Sequence, residues 1–277
     1  MKRDELTEII VKRLEQDLSG LRTDFNSPKG APKTRHAVVD NLLPQTIARQ
    51  IYEAFPPLEE MRLMASFREQ KYTSKAFDKF NPLLADVSLA LQAPVVIETI
   101  EKITGVKDMI GDPHFYAGGL SAMAKNQFLN PHIDNSHDGD RQNYRVLNLL
   151  YYVTPDWKQE NGGNLELWDK KVKERVELHS AFNRLILMET NELSWHSVNE
   201  VKADGKRCCV SNYYFSPHSP NNGRETFHIT FFQARPEQPV RRLISTADGY
   251  LRTLTRKLKK DGLGKKDVYE AEKSKKI

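Results

Sequence analysis

AFNRLILMETNELSWHSVNEVKADGKRCCVSNYYF, residues 181–215, contains three short apolar runs separated by polar turns. Each run is too short for a helix and suits a strand bounded by Asn, Asp and Gly. The same rhythm continues on both sides. SAMAKNQFL (121–129), YRVLNLLYYV (144–153) and GGNLELWD (162–169) precede it, and TFHITFFQ (226–233) follows. Short strands at regular spacing predict a β-sandwich or barrel.

The first hundred residues read differently. Leu6, Ile9, Ile10, Leu14, Leu18 and Leu21 recur at helical spacing, which predicts a helix over 4–19 stopped by Gly20. His36–Val39 reads as a short strand. LLPQTIARQIYEAFPP (42–57) reads as a helix entered at Pro44 and ended by Pro56 and Pro57. Two more helical stretches fill 82–104, divided at Pro94, with Gly105 as a C-terminal cap. ADGYLRTLTRKLKK (247–260) returns to helical spacing. The expected layout is a helical region over 1–111 packed on a β-core over 112–240, then a basic helix and tail over 241–277.

Composition limits the class. Of 277 residues, 39% are hydrophobic and 29% charged, as in soluble globular proteins. No apolar run approaches the ~18 residues of a membrane span. The N-terminus carries charges inside its apolar stretch, unlike a signal peptide. Cys208 and Cys209 are adjacent, so strand alternation turns them to opposite faces and no disulfide framework forms. A reducing cytoplasm is the expected compartment. The net charge of +5 belongs to the tail, where residues 241–277 hold 12 Lys and Arg against 5 Asp and Glu. A solvated helix accounts for that surplus, and contact with an anionic surface is the functional alternative.

The chemistry centres on NPHIDN (130–135). His132 and Asp134 are two apart, so a strand sets both on one face. An imidazole and a carboxylate aimed at one point suit a divalent transition metal, and His196 is the candidate third ligand. Two histidines and one carboxylate leave metal positions open for a bidentate co-substrate and dioxygen. An isolated HxD pair is weak evidence, since most are surface polar residues. The following strand strengthens it, because period two sets Arg207, Cys209, Ser211 and Tyr213 on one face. A guanidinium facing a metal pocket is costly to bury without an anion, and a dicarboxylate co-substrate supplies one. Ser211 adds a hydroxyl.

HIDN, YRVLNLLYYVTPDW, ENGGNLELWD, SWHSV and RCCVSNYYF, in this order, resemble the iron(II)- and 2-oxoglutarate-dependent dioxygenases of the prolyl 4-hydroxylase-like branch, over roughly residues 112–232. Their spacing looks more like the hypoxia-factor prolyl hydroxylases than the collagen enzymes, where a lysine commonly holds 2-oxoglutarate. Here Arg207 takes that place; Lys206 is the runner-up, turned away by alternation. The resemblance implies a double-stranded β-helix (jelly-roll, cupin-like) core and Fe(II) on His132, Asp134 and His196. It further implies 2-oxoglutarate on Arg207, Tyr152 and Ser211, with O2 as second co-substrate and ascorbate as an accessory reductant. Arg145 matches a position near the substrate. The implied reaction hydroxylates an unactivated C–H bond with release of succinate and CO2. A carboxylate at Asp134 argues against halogenation, which needs a small residue there. The alternative reading is a non-redox cupin-like isomerase or binding protein, which has no use for Arg207.

Two departures from the family fall on the substrate side. The loop NSHDGDRQN (135–143) is longer and very polar, and the family's tyrosine before HxD has no clear counterpart. Both weigh against a protein-prolyl substrate, and the polar loop favours a small molecule or saccharide over a protein residue. His137 with Asp138 and Asp140 reads as a solvated loop, not a second metal site. His36, His114, His179, His218 and His228 lack partners at ligand spacing. NGG (161–163) lacks the ending of a phosphate loop and reads as a tight turn.

Overall fold

Apolar side chains on both faces of a strand demand a layer on each side, and the chain supplies helices for one and a second sheet for the other. In the computed structural model the described residues are 2–242, except 31, 113, 117, 222, 225, 226 and 239–241. The basic helix and tail expected over 241–277 lie outside them, apart from Arg242.

The helices are α1 (Arg3–Gln16), α2 (Leu18–Asn26), α3 (Gln45–Glu53), α4 (Pro82–Ala90) and α5 (Pro94–Thr104). The early strands are β1 (His36–Asp40), β2 (Arg62–Ala65), β3 (Gln70–Ser74), β4 (Gly119–Ala124) and β5 (Leu129–Ile133). There follow β6 (Tyr144–Tyr152), β7 (Leu165–Trp168), β8 (Arg175–Leu178), β9 (Arg184–Glu189), β10 (His196–Val198), β11 (Lys206–Ser216) and β12 (Phe231–Phe232). The large sheet runs β1-β9-β6-β11-β4-β3-β2 and the small one β12-β5-β10-β7-β8, with antiparallel pairing throughout. Two facing antiparallel sheets form the mainly-β core of a double-stranded β-helix, flanked by the helices.

Alternation sorts the large sheet. Tyr151, Leu185, Leu187, Cys208 and Val210 face outward into a core with Leu6, Ile10, Val87 and Ile100 of the helices. Tyr152, Ile186, Met188 and Cys209 face inward, against Leu165 and Leu167 of the small sheet. The inward face is therefore the one that meets β5 and β10, which carry the HxD histidine and His196. No single helix among the described residues is long and apolar enough to cross a membrane.

The structure corrects several local readings. The helix expected over 4–19 breaks at Asp17, whose φ of −133° is not helical, and α2 then runs through Gly20. Gly20 does not stop the helix. It makes room, since a Cβ there would lie 2.3 Å from the Asp17 Oδ1. TFHITFFQ yields only the two-residue β12. β2 and β3 were not legible because RLMA and QKYTS lie at the sheet edge with mostly exposed or half-buried side chains and no apolar alternation. Gly105 does cap α5, in the left-handed region at φ 74°.

Candidate active site

β5 and β10 are neighbours in the small sheet, and their register sets His132 directly opposite His196. The two ring centroids are 4.1 Å apart. Asp134 follows immediately after β5 rather than on it. Its Oδ1 lies 3.7 Å from His132 Nε2 and its Oδ2 lies 3.6 Å from His196 Nε2. Those gaps are too long for hydrogen bonds but fit donors arranged around one divalent ion. The ligand atoms of the three residues lie within 4.8 Å of one another.

The histidines are oriented from behind. His132 Nδ1 is 2.9 Å from the Asn130 carbonyl, and His196 Nδ1 is 2.9 Å from the Ser194 carbonyl. A carbonyl only accepts, so each Nδ1 carries the proton and each Nε2 offers its lone pair toward Asp134. Phe232 of β12 stacks on His132 at 5.1 Å and seals that side. Burial, with His196 beside it, pushes the His132 imidazole down to about 3, so it stays neutral and able to ligate.

Asp134 is held equally firmly. Burial works against its charge, but Arg145, His196, His132 and the Asn148 amide outweigh it and keep the carboxyl below the usual range. Asn148 Nδ2 donates to Asp134 Oδ2 at 2.8 Å, and Arg145 Nη1 lies 3.3 Å from Oδ1. Arg145 reaches inward because of a β-bulge. Leu147 pairs with Tyr214 and Arg145 with Phe215, so Val146 is the extra residue on β6. Without it, strict alternation would turn Arg145 outward with Leu147. Its guanidinium instead sits 4.3 Å over the Tyr213 ring.

Arg207 is 3% exposed on the inward face of β11. Its Nη2 abuts the Met123 thioether, its Nε has no hydrogen-bond partner, and its Cζ lies 5.3 Å from the Tyr152 ring. No carboxylate among the described residues pairs with it, and sulfur is a weak acceptor. A buried guanidinium left this way calls for an anion, and the distal carboxylate of 2-oxoglutarate is of the right kind. Ser211 is two residues beyond Cys209 on the same strand, its Oγ 3.7 Å from the Cys209 Sγ. Lys206 points outward, its Nζ donating to the Pro56 carbonyl at 3.0 Å. NGG is a tight turn: Gly162 and Gly163 take φ of 74° and 70°, and a Cβ on Gly163 would lie 3.3 Å from Arg207 Nε.

The structure therefore brings His132, Asp134, His196, Asn148 and Arg145 together, with Arg207 and Tyr152 on the inward face of the opposite sheet. Asn148 was missed, although it had a signal: an amide inside an apolar strand, on the Tyr152 face. The loop 135–143 is less solvated than expected. His137 is 9% exposed, packs at 4.3 Å on Tyr144, and Asp138 caps the Gln142 and Asn143 amides. His137 Nδ1 lies 2.8 Å from Ser136 Oγ, and its ring packs between Tyr144 and Phe227.

Comparison with known proteins agrees with this geometry. Residues 118–215 match the model of the 2OG-Fe(II) oxygenase superfamily. Over 87 residues the chain is 31% identical to prolyl 3-hydroxylase OGFOD1 of Mus musculus, covering 29% of this chain and 16% of that protein. The Xenopus laevis counterpart is 33% identical over 87 residues, 28% of this chain and 16% of its own. The match thus spans about one sixth of these curated relatives. The fold is similar to that of a prolyl 4-hydroxylase from Phytophthora capsici, with a TM-score of 0.53, 13% identity and coverage of 91% of this chain and 83% of that one. It is also similar to a Trichoplax adhaerens prolyl hydroxylase in complex with a hypoxia inducible factor peptide fragment, with a TM-score of 0.50, 17% identity and coverage of 77% and 90%. The strands that carry the triad and the buried Arg207 guanidinium thus lie in the part of the chain, residues 118–215, that is similar to the iron(II)- and 2-oxoglutarate-dependent oxygenase superfamily.

Proposed function

We propose that the chain is a 2-oxoglutarate-dependent dioxygenase that hydroxylates an unactivated C–H bond. The observation that carries this is the convergence of His132, Asp134 and His196 within 4.8 Å, in a core that also buries a guanidinium without a carboxylate. A non-redox cupin-like protein would use the first feature and has no need of the second. Iron(II), when bound, couples dioxygen and 2-oxoglutarate to the substrate, so that C–H becomes C–OH with release of succinate and CO2.

The remaining work belongs to the protein. His132, Asp134 and His196 hold the ion on one face and leave the other open. Arg207 binds the distal carboxylate of 2-oxoglutarate through its planar fork, with Tyr152 and Ser211 beside it. Asn148 and Arg145 fix the Asp134 carboxylate, and Phe232 keeps water from His132. The polar loop 135–143 supports a small molecule or saccharide as substrate. The prolyl hydroxylases among its relatives keep a protein residue as the second reading. Two buried free thiols, Cys208 and Cys209, support a reducing compartment such as the cytoplasm.

The test is succinate formation from 2-oxoglutarate by the Fe(II)-loaded protein without added substrate. Slow, iron-dependent release is expected. His196→Ala and Asp134→Ala are expected to abolish both this release and iron retention, read by metal analysis. Iron-independent release, or variants that retain iron at full occupancy, would remove the assignment.

A further inference from the structure

On the back of the small sheet, Glu166 of β7 carries a carboxylate that is 0% exposed. It belongs to LELW, a strand whose four residues are all buried, and alternation turns it away from Leu165 and Leu167 on the inward face. A charge in that place needs partners. Arg235 Nη2 lies 2.7 Å from Oε2 and Arg175 Nε lies 2.9 Å from Oε1. The Ser197 hydroxyl donates to Oε2 at 2.6 Å, and the Trp168 indole N–H donates to Ser197 Oγ at 2.7 Å. Buried ion pairs of this kind add little net stability over apolar packing, because desolvation cancels most of the attraction. Their directional contacts do fix one arrangement of the strands that supply them.

The partners on Oε2 come from the two segments that the backbone holds least. β10 is three residues long, and its pairing with β5 shifts register between His196 and Val198. Ser197, the middle residue of β10, lies directly opposite Glu166, while its neighbour His196 joins the triad on the other face. β12 has two residues, and one of them, Phe232, pairs with His132 and stacks on its ring at 5.1 Å. Arg235, three residues later, meets Glu166 and also donates to the Val198 carbonyl at 3.2 Å. One carboxylate oxygen thus ties the strand that carries His196 to the segment that lays Phe232 on His132. Arg175, at the other oxygen, comes from β8, and its further contacts are the Trp168 ring and Glu237.

We propose that Glu166 is a positioning residue for the metal site: through Ser197 and Arg235 it sets, from behind the sheet, where His196 and His132 stand relative to each other. This rests on the reading of His132, Asp134 and His196 as the iron ligands.

The test titrates Co(II) into the metal-free full chain and reads affinity together with the visible d–d bands. The bands report ligand geometry, which a loss of stability in a chain that is still folded does not move. Glu166→Gln keeps the shape and removes the charge, and weakening of about tenfold or more with shifted bands is expected. Ser197→Ala and Arg235→Gln leave the pair with Arg175 in place and are expected to move both readouts in the same direction. They decide the matter if circular dichroism shows Glu166→Gln unfolded. Arg175→Gln is expected to keep wild-type affinity and bands, whatever it does to the urea midpoint. Wild-type affinity and bands in the folded Oε2-side variants, or an equal loss in Arg175→Gln, would overturn the proposal. Failure of the triad reading registers differently, as wild-type Co(II) uptake that is absent or untouched by His196→Ala, and takes this inference with it.

Discussion

Asp134 accepts from Asn148 at one oxygen and faces Arg145 at the other, so its direction is set before any ion arrives. Partners of this kind tune a ligand as much as the ligand itself. Asn148→Ala is expected to lower Fe(II) affinity by roughly 10–100-fold with the fold intact, measured by metal titration. Unchanged affinity would mean that Arg145 alone orients the carboxylate. Arg207→Ala should act elsewhere, on 2-oxoglutarate. Losing a buried charged hydrogen-bonding partner costs about 2–5 kcal/mol, so binding should weaken by at least about 30-fold while iron is retained. Full 2-oxoglutarate affinity in that variant would remove the cofactor site. Period-two spacing made it legible that Arg207 and Cys209 share a face of β11, whereas Asp134 lies just past β5 and the meeting of His132 with His196 comes from the β5–β10 register, which no local spacing gives. Arg145 was legible only as a resemblance, since the bulge at Val146 that turns it inward breaks the very periodicity a sequence reading relies on.

Among the elements, the short apolar runs became strands where expected: RLILME gives β9 and KRCCVSNYYFS gives β11. The polar edge strands β2 and β3 and the split between α1 and α2 were not legible, because pairing partners and a single non-helical residue decide them. The Gly162–Gly163 turn joins both kinds of information. Its glycines read as a turn, and the structure shows why no other residue fits. A Cβ on Gly162 would lie 2.0 Å from the Glu200 carbonyl oxygen, a backbone atom that cannot swing aside. The left-handed φ adds about 1–2 kcal/mol for any L side chain. Gly162→Ala is therefore expected to lower Tm by about 5 °C or more. Gly163→Ala presses on the Arg207 side chain instead, so its main effect should be on 2-oxoglutarate affinity. Equal Tm losses and unchanged co-substrate binding in both variants would contradict this division.

At the scale of the whole molecule, groups buried in the uncharged state limit stability from both ends of the pH scale. His132, pushed down to about 3 by burial and by His196, takes up a proton in the unfolded chain near its ordinary 6.5 but not in the folded one. Stability of the metal-free protein is thus full above about 6.5 and falls as pH drops toward 3, at ~1 kcal/mol per pH unit. Asp134, also held low, adds to the loss below its ordinary range. Cys208 works in the opposite direction. Burial pushes its thiol up to about 12 from 9.0, so the unfolded chain releases a proton above 9 that the folded chain keeps. That contribution is complete below 9 and is lost as pH rises toward 12. Urea midpoints should therefore form a plateau between about pH 6.5 and 9 and fall on either side. Cys208→Ala changes the absolute stability by the packing it removes, but it should make the first part of the alkaline limb, between about pH 9 and 10, less steep, leaving the part due to Cys209, whose thiol burial also pushes up, before the buried tyrosines begin to contribute. An alkaline slope identical in variant and wild type over that interval would assign the loss to groups other than this thiol.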